Sequence, residues 1–186
     1  ITIIKATQNV DNSVGVTNVC KELISKTFAS RCTLNESCDI YNLDGCWDNA
    51  LWVVSKTKIK INKLPLWNDE ITIRTWPMGA EGVRCNRCYQ IMKDNEVLIN
   101  AISEWVIIDA TSRTLRKVET TSYPNDIDWI KEKSIEERFR RFKDDFTDED
   151  LVYKRFVRSG DIDVTHHTNN VTYITMLLDT FSVKEL

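Results

Sequence analysis

Between residues 158 and 181 the chain passes without a break from a polar turn into an apolar helix, RSGDIDVTHHTNNVTYITMLLDTF. Asp161, Asp163, His166, His167, Asn169 and Asn170 fall within ten residues, and both histidines of the chain are among them. Val171, Tyr173, Ile174, Met176, Leu177, Leu178 and Phe181 follow, with Thr172, Thr175 and Asp179 on one polar stripe at i, i+3 and i+7. A helix apolar over most of its circumference is wrapped by other structure rather than laid on a surface. Thr168, Asn169 and Asn170 are N-cap candidates. The first-turn N–H groups are therefore expected to point at the acid and histidine cluster, where a helix N-terminus favours negative charge.

The rest of the chain supplies material for the wrapping. Residues 1–4 read as a short strand, and Val16, Val19, Cys20, Leu23, Thr27 and Phe28 fall at helical spacing. Residues 32–51 read as an irregular connection. Residues 52–61 alternate, with Val53, Ser55, Thr57, Ile59 and Ile61 on one face and Lys56, Lys58 and Lys60 on the other. Strands are expected over 70–76, stopped by Pro77 and Gly79, then over 84–93, 97–108 and 115–118, with a hairpin turn at Asp94-Asn95. One helix followed by consecutive antiparallel strands suits an α+β domain. Residues 151–158 return to strand.

Residues 123–150 differ. Six basic and ten acidic residues make more than half of this stretch charged, so it reads as a linker. A short helix over 134–142 would turn Ile135, Phe139 and Phe142 inward. Arg138, Arg140, Arg141 and Lys143 read as part of a solvated inter-domain face, and they are also the cluster that an acidic partner would meet.

Composition removes several classes. A net charge of −3 and no long basic run give no general affinity for nucleic acid. No apolar run approaches the ~20 residues of a membrane span, and no signal peptide is visible at the start. The six cysteines are irregularly spaced in a chain with 42% hydrophobic residues, enough for a core without disulfides, so they read as reduced cytoplasmic thiols. Cys85 and Cys88 form a single CxxC in strand-like sequence. Zinc would want a second pair, and a redox motif would want a helix start, so no metal site is expected.

An internal repeat is also visible. Residues 11–19 lie on residues 163–171 with Asp, Asn and Val in common, and each copy leads into an apolar-faced helix. In this register Gly15 stands where His167 stands. Two wrapped helices, near 16–28 and 170–181, are expected in two similar sheets.

The motif at 161–173 resembles the signature of the acyl-acyl carrier protein thioesterases, Asp-x-Asp-x-Asn-x-His-x-Asn-Asn-x-x-Tyr. Asp161, Asp163, His167, Asn169, Asn170 and Tyr173 match it, and Thr165 stands in place of Asn. Residues 65–77, 52–54 and 103–109 also resemble that family, so the likeness runs over roughly residues 50–181. It implies tandem hotdog domains, each an antiparallel sheet wrapped around a central helix. The expected division is 1–122 for the first domain, 123–150 for the charged linker and 151–186 for the start of a second, incomplete domain.

The resemblance implies hydrolysis of fatty acyl-acyl carrier protein to free fatty acid and carrier, in fatty acid biosynthesis, with no cofactor. It carries catalytic roles to Asp163, Thr165 and His167, and substrate contacts to Asn169 and Asn170. Trp52, Trp76 and Trp105 become candidate walls of an acyl tunnel. The chemistry fits these residue types. Histidine has an unperturbed pKa of ~6.5 and suits a general base, a carboxylate orients the imidazole or the water, and the helix end supplies oxyanion donors. Thr165 departs from the pattern because an amide donates and accepts in fixed geometry, whereas threonine offers one rotatable hydroxyl. The family's further acidic residue and its cysteine come later in the second domain, so none of the six cysteines is assigned as a nucleophile. Against the catalytic reading, Asp and Asn at helix starts are more often caps. The alternatives are an acyl-coenzyme A hotdog thioesterase and a non-catalytic acyl-binding or regulatory hotdog protein. The expected partners are acyl carrier protein and the fatty acyl thioester, and the reading leaves room for a homodimer.

Overall fold

The computed structural model describes residues 2–7, 50–66, 69–121, 123–124, 127–162, 168–182 and 184–185. The expected helix near 16–28 and its place in the repeat lie outside the described residues. Among the described residues, six strands form one antiparallel sheet: β1 Thr2–Thr7, β2 Ala50–Ile61, β3 Glu70–Glu81, β4 Arg84–Lys93, β5 Glu96–Asp109 and β6 Leu115–Arg116. The order across the sheet is β1-β3-β4-β5-β2. β6 takes the edge of β5 at Ile107 and Ile108, just past Val106, the last β5 residue that β4 reaches. One helix follows, α1 Asn170–Leu178. No helix among the described residues is long and apolar enough to cross a membrane.

The hairpins form where the sequence puts turn residues. Asp94 and Asn95 both take positive φ, 49° and 68°, the pair of left-handed residues that a tight hairpin with the right twist requires. After β5 the Asp109 carboxylate accepts from the N–H groups of Thr111 and Ser112 at 3.1 and 2.8 Å, which folds the chain back into β6.

Two strand readings are corrected. β3 does not stop at Pro77 and Gly79. It continues to Glu81, with the irregularity between Pro77 and Ala80 absorbed as a shift in register against β4. In β2 a second register shift lies between Val54 and Lys56. Because side chains alternate between faces, the extra residue Ser55 switches the pattern. Thr57 and Ile59 share a face with Trp52 and Val54, while Val53 joins the lysine face and is exposed.

The sheet has a core on each side. On one face Ile71, Ile73, Tyr89, Ile91, Ile99 and Ala101 pack together, with Ile59 and Leu64 against them. Polar groups on this face are paired, as burial demands. Tyr89 Oη lies 2.9 Å from Ser103 Oγ, Trp105 Nε1 donates to the same oxygen at 2.8 Å, and Arg87 Nε donates to Thr75 Oγ1 at 3.0 Å. Burial pushes the Arg87 pKa down. The opposite face buries Trp76, Cys88 and Ile102 beneath Ile130, Ile135 and Phe139. Cys85 and Cys88, three apart on a strand, point to opposite faces, and both are buried.

That second cover corrects the reading of the charged stretch. Residues 129–139 lie as a strap across the sheet and not as solvated linker, and no helix forms over 134–142. The i, i+4 spacing of Ile135 and Phe139 is met by an irregular chain whose backbone is tied to sheet side chains. Trp76 Nε1 donates to Glu132 O at 2.9 Å, and Lys58 Nζ donates to Glu137 O and Arg138 O, each at 2.8 Å. Ser134 Oγ donates to Ala101 O at 2.6 Å. Trp129 stacks on Tyr123 at 5.1 Å and lies over Gly79, where a Cβ would come within 3.0 Å of the indole. Phe142, the third expected inward contact, is 84% exposed.

Ile135→Ala should therefore lower unfolding free energy by about 2–5 kcal/mol, the usual cost of emptying a buried isoleucine site. Urea unfolding checks this. A change within about 0.5 kcal/mol, normal for a surface position, would return the stretch to a linker.

Candidate functional site

The site is built from the chain that follows the strap. Residues 151–158, expected as strand, have no ladder partner among the described residues. Next comes one turn of 3-10 helix, Ser159–Asp161. Asp161 is its buried anchor. Its carboxylate accepts from Arg158 N–H at 2.8 Å, and both its oxygens lie 2.6 Å from Arg155 Nη2. The Arg158 N–H first, and Arg155 with it, hold the Asp161 carboxyl below the usual carboxylate range. Asp161 in turn raises the Arg155 pKa. At neutral pH the aspartate is an anion, suited to orienting groups and not to giving up a proton.

From Asp161 the chain closes on itself. Asp161 O accepts Asn169 N–H at 2.8 Å, and Ile162 pairs with Thr168 in an antiparallel bridge. Asn169 caps α1, with φ −60° and ψ 136° and its Oδ1 accepting Val171 N–H at 2.9 Å. Its carbonyl accepts Thr172 N–H at 2.9 Å. Two first-turn donors are thus used by the cap residue itself. Asn170 N–H has no acceptor among the described residues, which leaves fewer donors at this helix end than the sequence reading allowed. The other end of α1 is tied down by Asp179, whose Oδ2 accepts Tyr153 Oη–H at 3.0 Å.

The helix is covered on one side. Val171 and Thr172 are buried, while Tyr173 and Leu177 are 60% and 61% exposed and Phe181 is also exposed. The sequence expects a helix surrounded by other structure. Among the described residues no strand lies beyond β6 to provide a second wrapping sheet.

The residues singled out by sequence fall into three groups. Asp163, Thr165 and His167, with His166, lie outside the described residues. Asn169 and Asn170 stand at the helix start, the first as the cap and the second exposed. The three tryptophans do not share a face. Trp52 pairs with Ile107 and Trp105 with Val54, which puts both on one face, while Trp76 pairs with Cys88 on the other. Trp76 is fully buried under the strap, with Arg74 over its ring at 4.8 Å, so it cannot line a cavity on the face of the other two. Trp52 packs near Tyr123, centroids 5.5 Å apart, and Trp105 is fixed by Ser103. The sequence reading missed Tyr153 and Arg155. They lie outside the signature, and no spacing rule connects them to Asp161 or Asp179.

Comparison with known proteins extends this picture. A model of the acyl-ACP thioesterase N-terminal domain matches residues 36–124, and one of the acyl-ACP thioesterase C-terminal domain matches residues 144–186. A chloroplastic palmitoyl-acyl carrier protein thioesterase from Cuphea hookeriana is 31% identical over 137 residues, 70% of this chain and 33% of that protein. A chloroplastic oleoyl-acyl carrier protein thioesterase from Arabidopsis thaliana is 31% identical over 142 residues, 70% of this chain and 39% of that protein. The chain spans about a third of the length of the curated relatives it matches. Among solved structures, the 12:0-ACP thioesterase from Umbellularia californica superposes with a TM-score of 0.73 at 16% identity, over 96% of this chain and 76% of that one. An acyl-ACP thioesterase from Bacteroides thetaiotaomicron does so at 0.69 and 20%, over 98% and 74%. At such identities the superposition speaks for the fold alone, the hotdog fold. The two domain models, matched in order along the sequence, speak for the lineage: the chain belongs to the acyl-ACP thioesterase family.

Proposed function

We propose that this protein hydrolyses fatty acyl-acyl carrier protein, releasing free fatty acid and the carrier thiol in fatty acid biosynthesis. The observation that carries the reading is the family signature standing at the junction where Asp161 meets the capped start of α1. In the proposed step His167 takes a proton from water, and the water oxygen attacks the thioester carbonyl. Asp163 orients the imidazole and stabilises the imidazolium as it forms. The oxyanion gathers near the helix start, where Asn170 N–H is available, and Thr165 places the water or the thioester through its hydroxyl. On collapse the C–S bond breaks, and the thiolate takes the proton from His167. Water is the nucleophile, so the scheme calls on no cofactor.

Trp52 and Trp105 remain the acyl contacts of this reading, on one face of the sheet. The carrier is proposed to approach Arg138, Arg140, Arg141 and Lys143. The strap turns Ile135 and Phe139 inward and leaves those four cations exposed and without an ion pair among the described residues. Cys85 and Cys88 are buried and point to opposite faces, so they do not bridge each other, and a reducing compartment is proposed, the cytoplasm.

His167→Ala should lower the hydrolysis rate at least ~100-fold, the lower range for a lost general base, and His166→Ala should cost little. Steady-state kinetics on an acyl carrier substrate decide this, and equal losses in both variants overturn the assignment. Thr165→Asn should raise turnover, because a restored amide can position the reacting groups in fixed geometry. A slower variant would give the threonine a role of its own. Reversing Arg138, Arg140 and Arg141 to glutamate should raise KM for acyl carrier several-fold and flatten its salt dependence. Hydrolysis of acyl-coenzyme A should stay unchanged, and equal effects on both substrates would remove the docking role.

A further inference from the structure

Four polar side chains on no part of the sheet form a continuous line with α1. Arg155 holds Asp161, and the Asp161 carbonyl holds Asn169 N–H at the head of the helix. The helix runs from there to Asp179, whose carboxylate accepts the Tyr153 hydroxyl. Tyr153 stands two residues from Arg155 and contributes to the raised pKa of its guanidinium. With the short piece of chain between Tyr153 and Arg155, these contacts close a ring: Arg155, Asp161, Asn169, helix, Asp179, Tyr153 and back.

No residue of the ring is a member of the apolar clusters that hold the sheet together. Charged pairs of this kind add little net stability compared with apolar packing, but they fix geometry because each partner has few alternatives. Here the geometry being fixed is the placement of the first turn of α1 against the turn at Asp161. Both residues belong to the family signature, whereas Tyr153 and Arg155 stand outside it. We propose that Arg155 and Tyr153 are positioning residues, which set the helix start for the reaction through Asp161 and Asp179 without touching substrate. The inference rests on reading this end of the molecule as the hydrolytic site.

The test uses the full chain with Arg155→Met, Arg155→Lys and Tyr153→Phe. Amide hydrogen exchange at Asn169, Val171 and Thr172 is read beside kcat and KM on an acyl carrier substrate. Arg155→Met should speed exchange at these amides by about tenfold or more, as local opening becomes easier, while the amides of β3, β4 and β5 stay as in the parent. Its kcat should fall by about 10- to 100-fold, the scale of a small misplacement at a reacting centre, with KM within about twofold. Tyr153→Phe should follow in the same direction, and Arg155→Lys should recover part of both losses. Unchanged exchange in Arg155→Met overturns the ring. Faster exchange with unchanged kcat overturns the positioning role. A parent that hydrolyses no acyl thioester sinks the hydrolytic reading and the positioning role with it, and the exchange arm still decides whether the ring holds the helix.

Discussion

The strand β5 is buried from both sides, and much of the described fold follows from that. Leu98, Ile99, Ala101, Ile102, Ser103 and Glu104 are all buried in sequence, so alternate side chains on each face need a cover. A sheet with one solvated face would leave Ile102 and its neighbours Trp76 and Cys88 in water. The chain answers with the strap, which lays Ile130, Ile135 and Phe139 over that patch. Its high charge and its covering role are compatible because few residues face inward, while the cations and acids around them stay in solvent. Burial of apolar area at roughly 25 cal/mol per Å² is the source of this adhesion, and the bonds from Trp76, Lys58 and Ser134 set where the strap lies.

The site end is held by different forces. Around α1 there is little apolar burial and a chain of directional contacts from Tyr153 to Asp179 and from Arg155 to Asp161. Apolar packing tolerates small shifts, whereas hydrogen bonds to an ionised carboxylate tolerate few. The molecule thus places its bulk adhesion in the sheet and its fine positioning at the helix start. A loss of core packing and a loss of ring geometry should therefore show up in different measurements.

How much was legible in the sequence varied with the range of the interaction. The strands and the Asp94-Asn95 hairpin were readable because alternation and turn chemistry are local. The capping of α1 was readable for the same reason to within three candidates, of which Asn169 is the cap. The bulge at Ser55 was not, because a register shift is decided by the partner strand, and one extra residue reverses every later side chain. The face of Trp76 followed the same logic: an aromatic in a strand gives no sign of which cover it will meet. The strap was hidden by composition, since charged residues outnumber its anchors. Arg155 and Tyr153 were hidden by distance, since each acts on a residue six or more positions away. Asp163, Thr165 and His167 remain readings of the sequence.

Family membership and the signature beside the capped start of α1 make hydrolysis of a carrier-bound acyl thioester the central claim. The most direct measurement is release of free fatty acid from a panel of acyl carrier substrates of different chain length, with the matching acyl-coenzyme A compounds alongside. Turnover on the carrier substrates is expected, with a preference for some chain lengths and slower release from coenzyme A. Tight binding of acyl carrier with no acid released from any member of the panel would contradict it and leave a binding protein in place of an enzyme.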